Sequence, residues 1–162
     1  REMASVESLP RHPISPNQGI TVNNSSLAKV LYTAQTHVTG GRVGRGTTSD
    51  GALDVELSTP GSGRPGTNPE QLFGIAWSSC FIGALGKAAS VHGVKLPADT
   101  SVDAEVSLGV LADDQYQLAV VLNVNLPGLD ESIKGKLVET AHQTCPYSRM
   151  TRGNVDVALV VA

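Results

Sequence analysis

Two cysteines are the residues best suited to chemistry in this chain of 162. Cys80 lies in an apolar stretch among Ala76, Trp77, Phe81 and Ala84. Free cysteine in such company serves as a small hydrophobe, as a metal ligand or as a redox centre. The helix interior around Cys80 lends no dipole to a thiolate, and apolar surroundings raise a thiol pKa. A nucleophilic Cys80 therefore needs a cation brought to it by the fold, and the chief candidates are Arg42 and Arg45 in a glycine-rich stretch. Cys145 follows a helical pattern at its C-terminal side, where the dipole disfavours a thiolate. It suits a thiol that closes a disulfide better than one that attacks first. The two stand 65 positions apart, and that spacing leaves open whether they meet.

Other chemistries fit less well. His142 and Cys145 supply two metal ligands of the four usual for structural zinc. His37 and His92 add no ligand-like spacing, so no metal is expected. A papain-like Cys/His pair has no supporting sequence around Cys80. Glu70 reads on spacing alone as a helix N-terminal carboxylate, and Arg42 as a solvated turn arginine.

The surrounding elements follow from periodicity. Residues 1–26 hold three prolines and no sustained period, and are expected to form a poorly ordered N-terminal arm. Residues 27–162 are expected to form a single domain. Val30, Tyr32, Ala34, Thr36 and Val38 alternate with other residues, as a half-buried strand does. A turn over 40–46 leads to a second alternating run, Leu53, Val55 and Leu57, giving a hairpin. Asn68 can cap a helix, with Pro69 at its first position and Glu70 in its first turn. That helix is apolar nearly all round and ends at Gly93. Gly74, Gly83 and Gly86 each cost it about 1 kcal/mol relative to alanine, a cost that close approach of another backbone would justify. Residues 102–110 and 116–126 read as paired strands. Asp130 can cap a second helix bearing Ile133, Leu137, Val138 and Ala141, and residues 155–161 read as a final strand. The order β-β-α-β-β-α-β indicates an α+β fold with one sheet system and two main helices.

Composition narrows the function classes. Apolar residues make up 40 %, charged residues 17 %, and the net charge is −3. No basic footprint marks a nucleic-acid or anionic-membrane surface. No apolar run is expected to reach the roughly 18–20 residues that span a bilayer. No apolar segment with a cleavage site marks a secretory signal, so a cytoplasmic protein is expected.

Four blocks in order carry a further reading. They are Val30-Leu31-Tyr32-Thr33-Ala34 with Thr39-Gly40-Gly41-Arg42; Gly66-Thr67-Asn68-Pro69-Glu70-Gln71-Leu72-Phe73; Ser79-Cys80-Phe81-Ile82-Gly83-Ala84-Leu85; and Ala141-His142 through Cys145-Pro146-Tyr147-Ser148 to Thr151-Arg152-Gly153-Asn154. Across residues 28–162 this pattern resembles the organic hydroperoxide resistance proteins, the Ohr branch of the OsmC/Ohr family. The resemblance implies an intertwined homodimer with its site at the subunit interface. It implies a peroxidatic Cys80, a resolving Cys145, and a disulfide between them. It implies that Arg42 lowers the Cys80 pKa while Glu70 grips the guanidinium. Substrates would be alkyl and fatty-acid hydroperoxides. The reductant would be a dithiol, typically the lipoyl group of a lipoylated protein, with no metal or other cofactor. Phe73, Trp77 and Ile82 would line an apolar cleft for a lipid tail or lipoyl chain. The loop over 58–66 and the stretch Gly74-Ile75-Ala76-Trp77-Ser78, with its large Trp77, depart from the family's usual pattern. Two other readings are an OsmC-type peroxidase of the sister branch and a non-catalytic, oxidant-responsive lipid-binding dimer.

Overall fold

The longest element begins where its capping residues require. In the computed structural model, which describes residues 27–162, helix α1 runs Pro69–Val91. The Asn68 side chain accepts a hydrogen bond from the Gln71 backbone N–H at 2.9 Å, and Pro69 occupies the first turn. Gly93, with φ +66°, follows the C-cap residue His92. Gly74, Trp77, Phe81, Ala84, Leu85, Ala88 and Ala89 are buried along α1. Their three- and four-residue steps make one stripe on the helix. The opposite side is uncovered and mixed, with Gln71, Ser79, Gly83 and Lys87 exposed beside an Ile75 that is 69 % exposed. By length and composition α1 could cross a membrane, which corrects the expectation that no run approaches that length. Its buried stripe instead packs into the core of this chain.

That stripe lies on a sheet and a second helix. Strands β4 (Ser101–Val110) and β5 (Tyr116–Asn125) pair antiparallel, and β6 (Asp156–Val161) joins β5 in parallel, after β1 to β3 described below. Val102, Val120, Leu122 and Val124 turn one sheet face into the core. Helix α2 (Glu131–Thr144) adds Leu137, Val138 and Ala141. A short helix α3 (Pro146–Thr151) follows and packs on both longer helices. Close approach of another backbone was expected to explain the helix glycines, and none of the three shows it, since even Gly74, packed on β4, leaves room for a Cβ in ordinary contact with side chains. A Cβ there would lie 3.5 Å from both Ala104 and Val106 of β4, whereas Gly83 and Gly86 face open space.

The N-terminal part departs from the expected hairpin. Three antiparallel strands form it: β1 (Thr36–Thr39), β2 (Arg45–Thr48) and β3 (Asp54–Glu56). The compact unit comprises Ala34–Ala162. Residues 27–33 carry no strand, so β1 is shorter than the alternation over 30–38 predicts. Val30, Leu31 and Tyr32 are exposed. Strand β2 occupies part of the stretch read as a turn. The reversal is completed within a 3-10 turn at Gly41–Val43 because Gly40 and Gly41 take positive φ. A Cβ on Gly44 would lie 1.7 Å from the Thr39 carbonyl oxygen, so only glycine closes it. Strand β2 shows little apolar alternation because this sheet is largely exposed, and periodicity therefore missed it. The first 26 residues, expected as an arm, lie outside those described.

The chain returns from this sheet to α1 through backbone bonds. The Ser58 N–H donates to the Thr67 carbonyl at 2.8 Å, and the Thr67 N–H donates to that of Glu56 at 2.9 Å. This seats Asn68, and so the start of α1, beside the sheet carrying Arg42. Asp130 stands at the N-cap of α2, but its side chain caps nothing. Asn68→Ala should therefore cost about 1 kcal/mol of stability, and Asp130→Ala no more than about 0.5 kcal/mol. Urea denaturation of the two variants should show this difference, and equal losses would contradict the capping assignment.

Candidate active site

The core brings the two cysteines together. Cys80, on α1, is half-buried, and Cys145 is completely buried. Their Sγ atoms stand 3.6 Å apart, and both are free thiols. Cys145 is at the C-cap of α2 and also at the N-cap of α3. Pro146 disfavours helical backbone at the residue before it, so α2 stops at Cys145 and α3 starts at Pro146. The sequence reading placed Cys145 only at a helix C-terminus; the second helix start was not foreseen. Burial pushes the Cys80 thiol pKa up, and so does its interaction with Cys145. A backbone hydrogen bond from Tyr147 acts in the opposite direction, and is the smallest of these influences.

Arg42 and Glu70 are also brought together. The guanidinium donates through Nη1 to Oε2 at 3.0 Å and through Nη2 to Oε1 at 2.5 Å. This bidentate geometry fixes the plane of the arginine. Glu70 is held below the usual carboxylate range, first by that hydrogen bond. The Arg42 side chain remains 46 % exposed. Within one chain this pair does not reach the thiols. Glu70 and Cys80 are ten residues apart on one helix, which is about 15 Å along the axis. At that separation a unit charge in water contributes only about 0.3 kcal/mol, about 0.2 of a pKa unit. Arg45 is committed to Asp54, with two contacts of 2.6 Å. Arg152 donates to the His142 carbonyl at 3.0 Å. Among the described residues no hydrogen bond or ion pair joins any of these arginines to Cys80.

The three apolar candidates separate. Trp77 is 0 % exposed and belongs to the core, not to a cleft wall. Phe73 is half-buried, with ring centroids 5.4 Å from Trp77 and 5.9 Å from Tyr147. Ile82 lines a groove of about 660 Å³ between α1 and β4, beside Ile75, Ser78, Val102 and Val106. Sequence reasoning passed over Ser148, which is completely buried and accepts a hydrogen bond from the Trp77 indole at 3.3 Å. The Cys145-Pro146-Tyr147-Ser148 block was its only signal. His142 keeps Nδ1 buried without a partner, and its pKa is lowered, chiefly by burial.

Residues 59–160 match the OsmC-like protein family. The chain belongs to the OsmC family, in its organic hydroperoxide resistance branch. It is 47 % identical over 142 residues to the organic hydroperoxide resistance protein of Xanthomonas axonopodis pv. citri, covering 85 % of this chain and 99 % of the relative. The crystal structure of OhrB of Bacillus subtilis matches with a TM-score of 0.77 and 40 % identity, over 82 % of this chain and 100 % of that one. An organic hydroperoxide resistance protein from Elizabethkingia anophelis matches with a TM-score of 0.73 and 38 % identity, over 83 % and 98 %. The expected α+β fold of the OsmC family is thus the fold observed, with β2 and α3 added to the elements foreseen.

The Arg42–Glu70 pair of this OsmC chain has a pH signature. The Glu70 pKa is lower in the folded state than its ordinary value of 4.5. Stability from the pair is therefore complete above that value and is lost as pH falls through the depressed one. Glu70→Gln should flatten part of the acid limb of melting temperature against pH below about 4.5. The part due to Asp50 and Asp54, whose pKa values are also lowered, should remain. An unchanged acid limb in Glu70→Gln would count against the pair.

Proposed function

We propose that this chain is a thiol-dependent peroxidase that reduces organic hydroperoxides to alcohols. The observation that carries the reading is the approach of Cys80 and Cys145 to 3.6 Å, with the first partly accessible and the second completely buried. The names of the relatives from Xanthomonas axonopodis pv. citri and Bacillus subtilis, both organic hydroperoxide resistance proteins, support the substrate class. In this reading the Cys80 thiolate attacks the distal peroxide oxygen. The O–O bond breaks, the alkoxide leaves and takes a proton to become alcohol, and Cys80 becomes a sulfenic acid. Cys145 then condenses with it, releasing water and leaving a disulfide. A dithiol such as a lipoyl group returns both sulfurs to thiols by exchange. The groove beside Ile82 sets the apolar side chains of Ile75, Val102 and Val106 beside the polar ones of Gln71, Ser79 and Asp103, and its apolar wall would suit the chain of an alkyl or fatty-acid hydroperoxide or of a lipoyl group. We place the activity in the cytoplasm, where thiols are kept reduced.

The working unit in this proposal is a homodimer. One chain leaves α1 uncovered at Ile75 and leaves Val110 and Tyr116 exposed at the β4–β5 turn. It also holds Arg42 too far from its own Cys80 to activate it. A two-fold partner covering α1 addresses both, since Arg42 and Glu70 of the partner subunit can then approach Cys80. Contact of that kind lowers a thiol pKa by replacing lost hydration with a fixed charge.

Peroxide consumption with dithiothreitol and dihydrolipoamide, against a monothiol, tests the reaction. Turnover should require a dithiol and disappear in Cys80→Ser. Cys145→Ser should complete a single oxidation and then over-oxidise. Full turnover by Cys80→Ser would overturn the proposal.

Activation is tested separately by the pH dependence of Cys80 alkylation. Arg42→Ala should move that pKa toward or above the free-cysteine value of about 8.5 and slow turnover at neutral pH. Arg42→Lys should recover part of the loss, keeping the charge without the planar fork. Light scattering should show a dimer. A stable monomer with full activity would exclude activation by a partner.

A further inference from the structure

The single tryptophan of this chain lies one turn before Cys80 on α1 and is completely buried. Its indole N–H donates to Oγ of Ser148 at 3.3 Å. Ser148 is equally buried and lies in α3, three residues after Cys145. One hydrogen bond thus joins the turn of α1 that bears Cys80 to the turn that follows Cys145.

A backbone hydrogen bond from Tyr147 to Cys80 also joins these elements, and their remaining contacts are less directional. Phe73 stacks at a tilt on Trp77 and on Tyr147, and tilted aromatic contacts tolerate small slides. Helix α3 has six residues, too few to hold a fixed register on its own hydrogen bonds. A buried N–H to hydroxyl bond has no such tolerance, because displacement leaves a polar group without water or partner. The consequence falls on the sulfurs, which stand at 3.6 Å and must close to about 2.05 Å in a disulfide.

We propose that Trp77 and Ser148 are positioning residues for disulfide formation. Their bond holds α3 in the register that points Cys145 Sγ at Cys80 Sγ. This rests on the thiol peroxidase reading above. In the step concerned, the Cys145 sulfur attacks the sulfenic sulfur of Cys80, the S–S bond forms and the S–O bond breaks. The departing hydroxide leaves as water with the proton of the Cys145 thiol. Attack on peroxide by Cys80 precedes this step and does not need the register.

The test uses the full chain in wild-type, Ser148→Ala and Ser148→Thr forms, mixed with tert-butyl hydroperoxide in stopped flow. Cys80 oxidation and disulfide formation are followed as separate phases, and over-oxidised Cys80 is measured by mass spectrometry. Ser148→Ala should slow disulfide formation about tenfold, the rate equivalent of one hydrogen bond. Cys80 oxidation should stay within about twofold of wild type. Over-oxidation should then appear at lower peroxide, and Ser148→Thr, which keeps the hydroxyl, should restore the wild-type balance. A purely structural bond would lower the melting temperature and leave the ratio of disulfide to over-oxidation unchanged, which would overturn the proposal. Should Ser148→Ala fail to fold, Trp77→Phe combined with Ser148→Ala removes both partners and strands no polar group. A folded double variant that forms its disulfide at the wild-type rate would equally overturn it. Failure of wild type itself to form a disulfide with hydroperoxide would instead refute the peroxidase reading beneath.

Discussion

The stripe of Trp77, Phe81, Leu85 and Ala88 on α1 is removed from water by the rest of the core, and the placing of both thiols depends on it. Full burial of a large apolar side chain contributes about 1.5–3 kcal/mol, so Trp77, Phe81 and Leu85 dominate this contact. The stripe fixes the rotation of α1 about its own axis. That rotation leaves Cys80 at the margin of the core, half-exposed, and turns Ile75 outward. Leu137, Val138 and Ala141 hold α2 against the same core and carry Cys145 at its end. The 3.6 Å separation of the sulfurs is thus built on apolar packing, with no strong attraction between them required.

Electrostatics in one chain works against this arrangement. Burial raises the Cys80 pKa, and the smallest of the influences on it, the backbone hydrogen bond from Tyr147, is the one that lowers it. The arginine best placed by sequence is locked in a bidentate pair at the other end of the helix. An arginine so paired is nearly neutral at a distance, because the two charges cancel beyond a few ångströms. Only direct contact would let it act on a thiolate. The uncovered Ile75 of α1 and the unactivated thiol are therefore two signs of the same need for a second surface.

Local rules served the sequence reading well where local physics decides. Asn68, Pro69 and Glu70 specify the start of α1 through capping and backbone geometry, and Gly93 specifies its end. The alternation in β4 and β5 was legible because one face of that sheet is buried. The same logic failed at β2, whose exposed sheet leaves no apolar period to read. It failed again at Gly83 and Gly86, which meet nothing within this chain.

What the sequence determined alone was the set of groups able to react: two thiols, an arginine and a carboxylate, in blocks that resemble one family. Residue type and short-range spacing decide that much. Tertiary structure decided which of them meet. Cys80 and Cys145 come together across 65 positions, and Arg42 meets Glu70 as the resemblance implies, at a distance from the Cys80 of its own chain. Trp77, read as a cleft residue, became a buried donor to Ser148. The physical reason is that long-range contacts follow from which apolar surfaces are removed from water together. That is a property of the whole packed chain, which no short segment encodes.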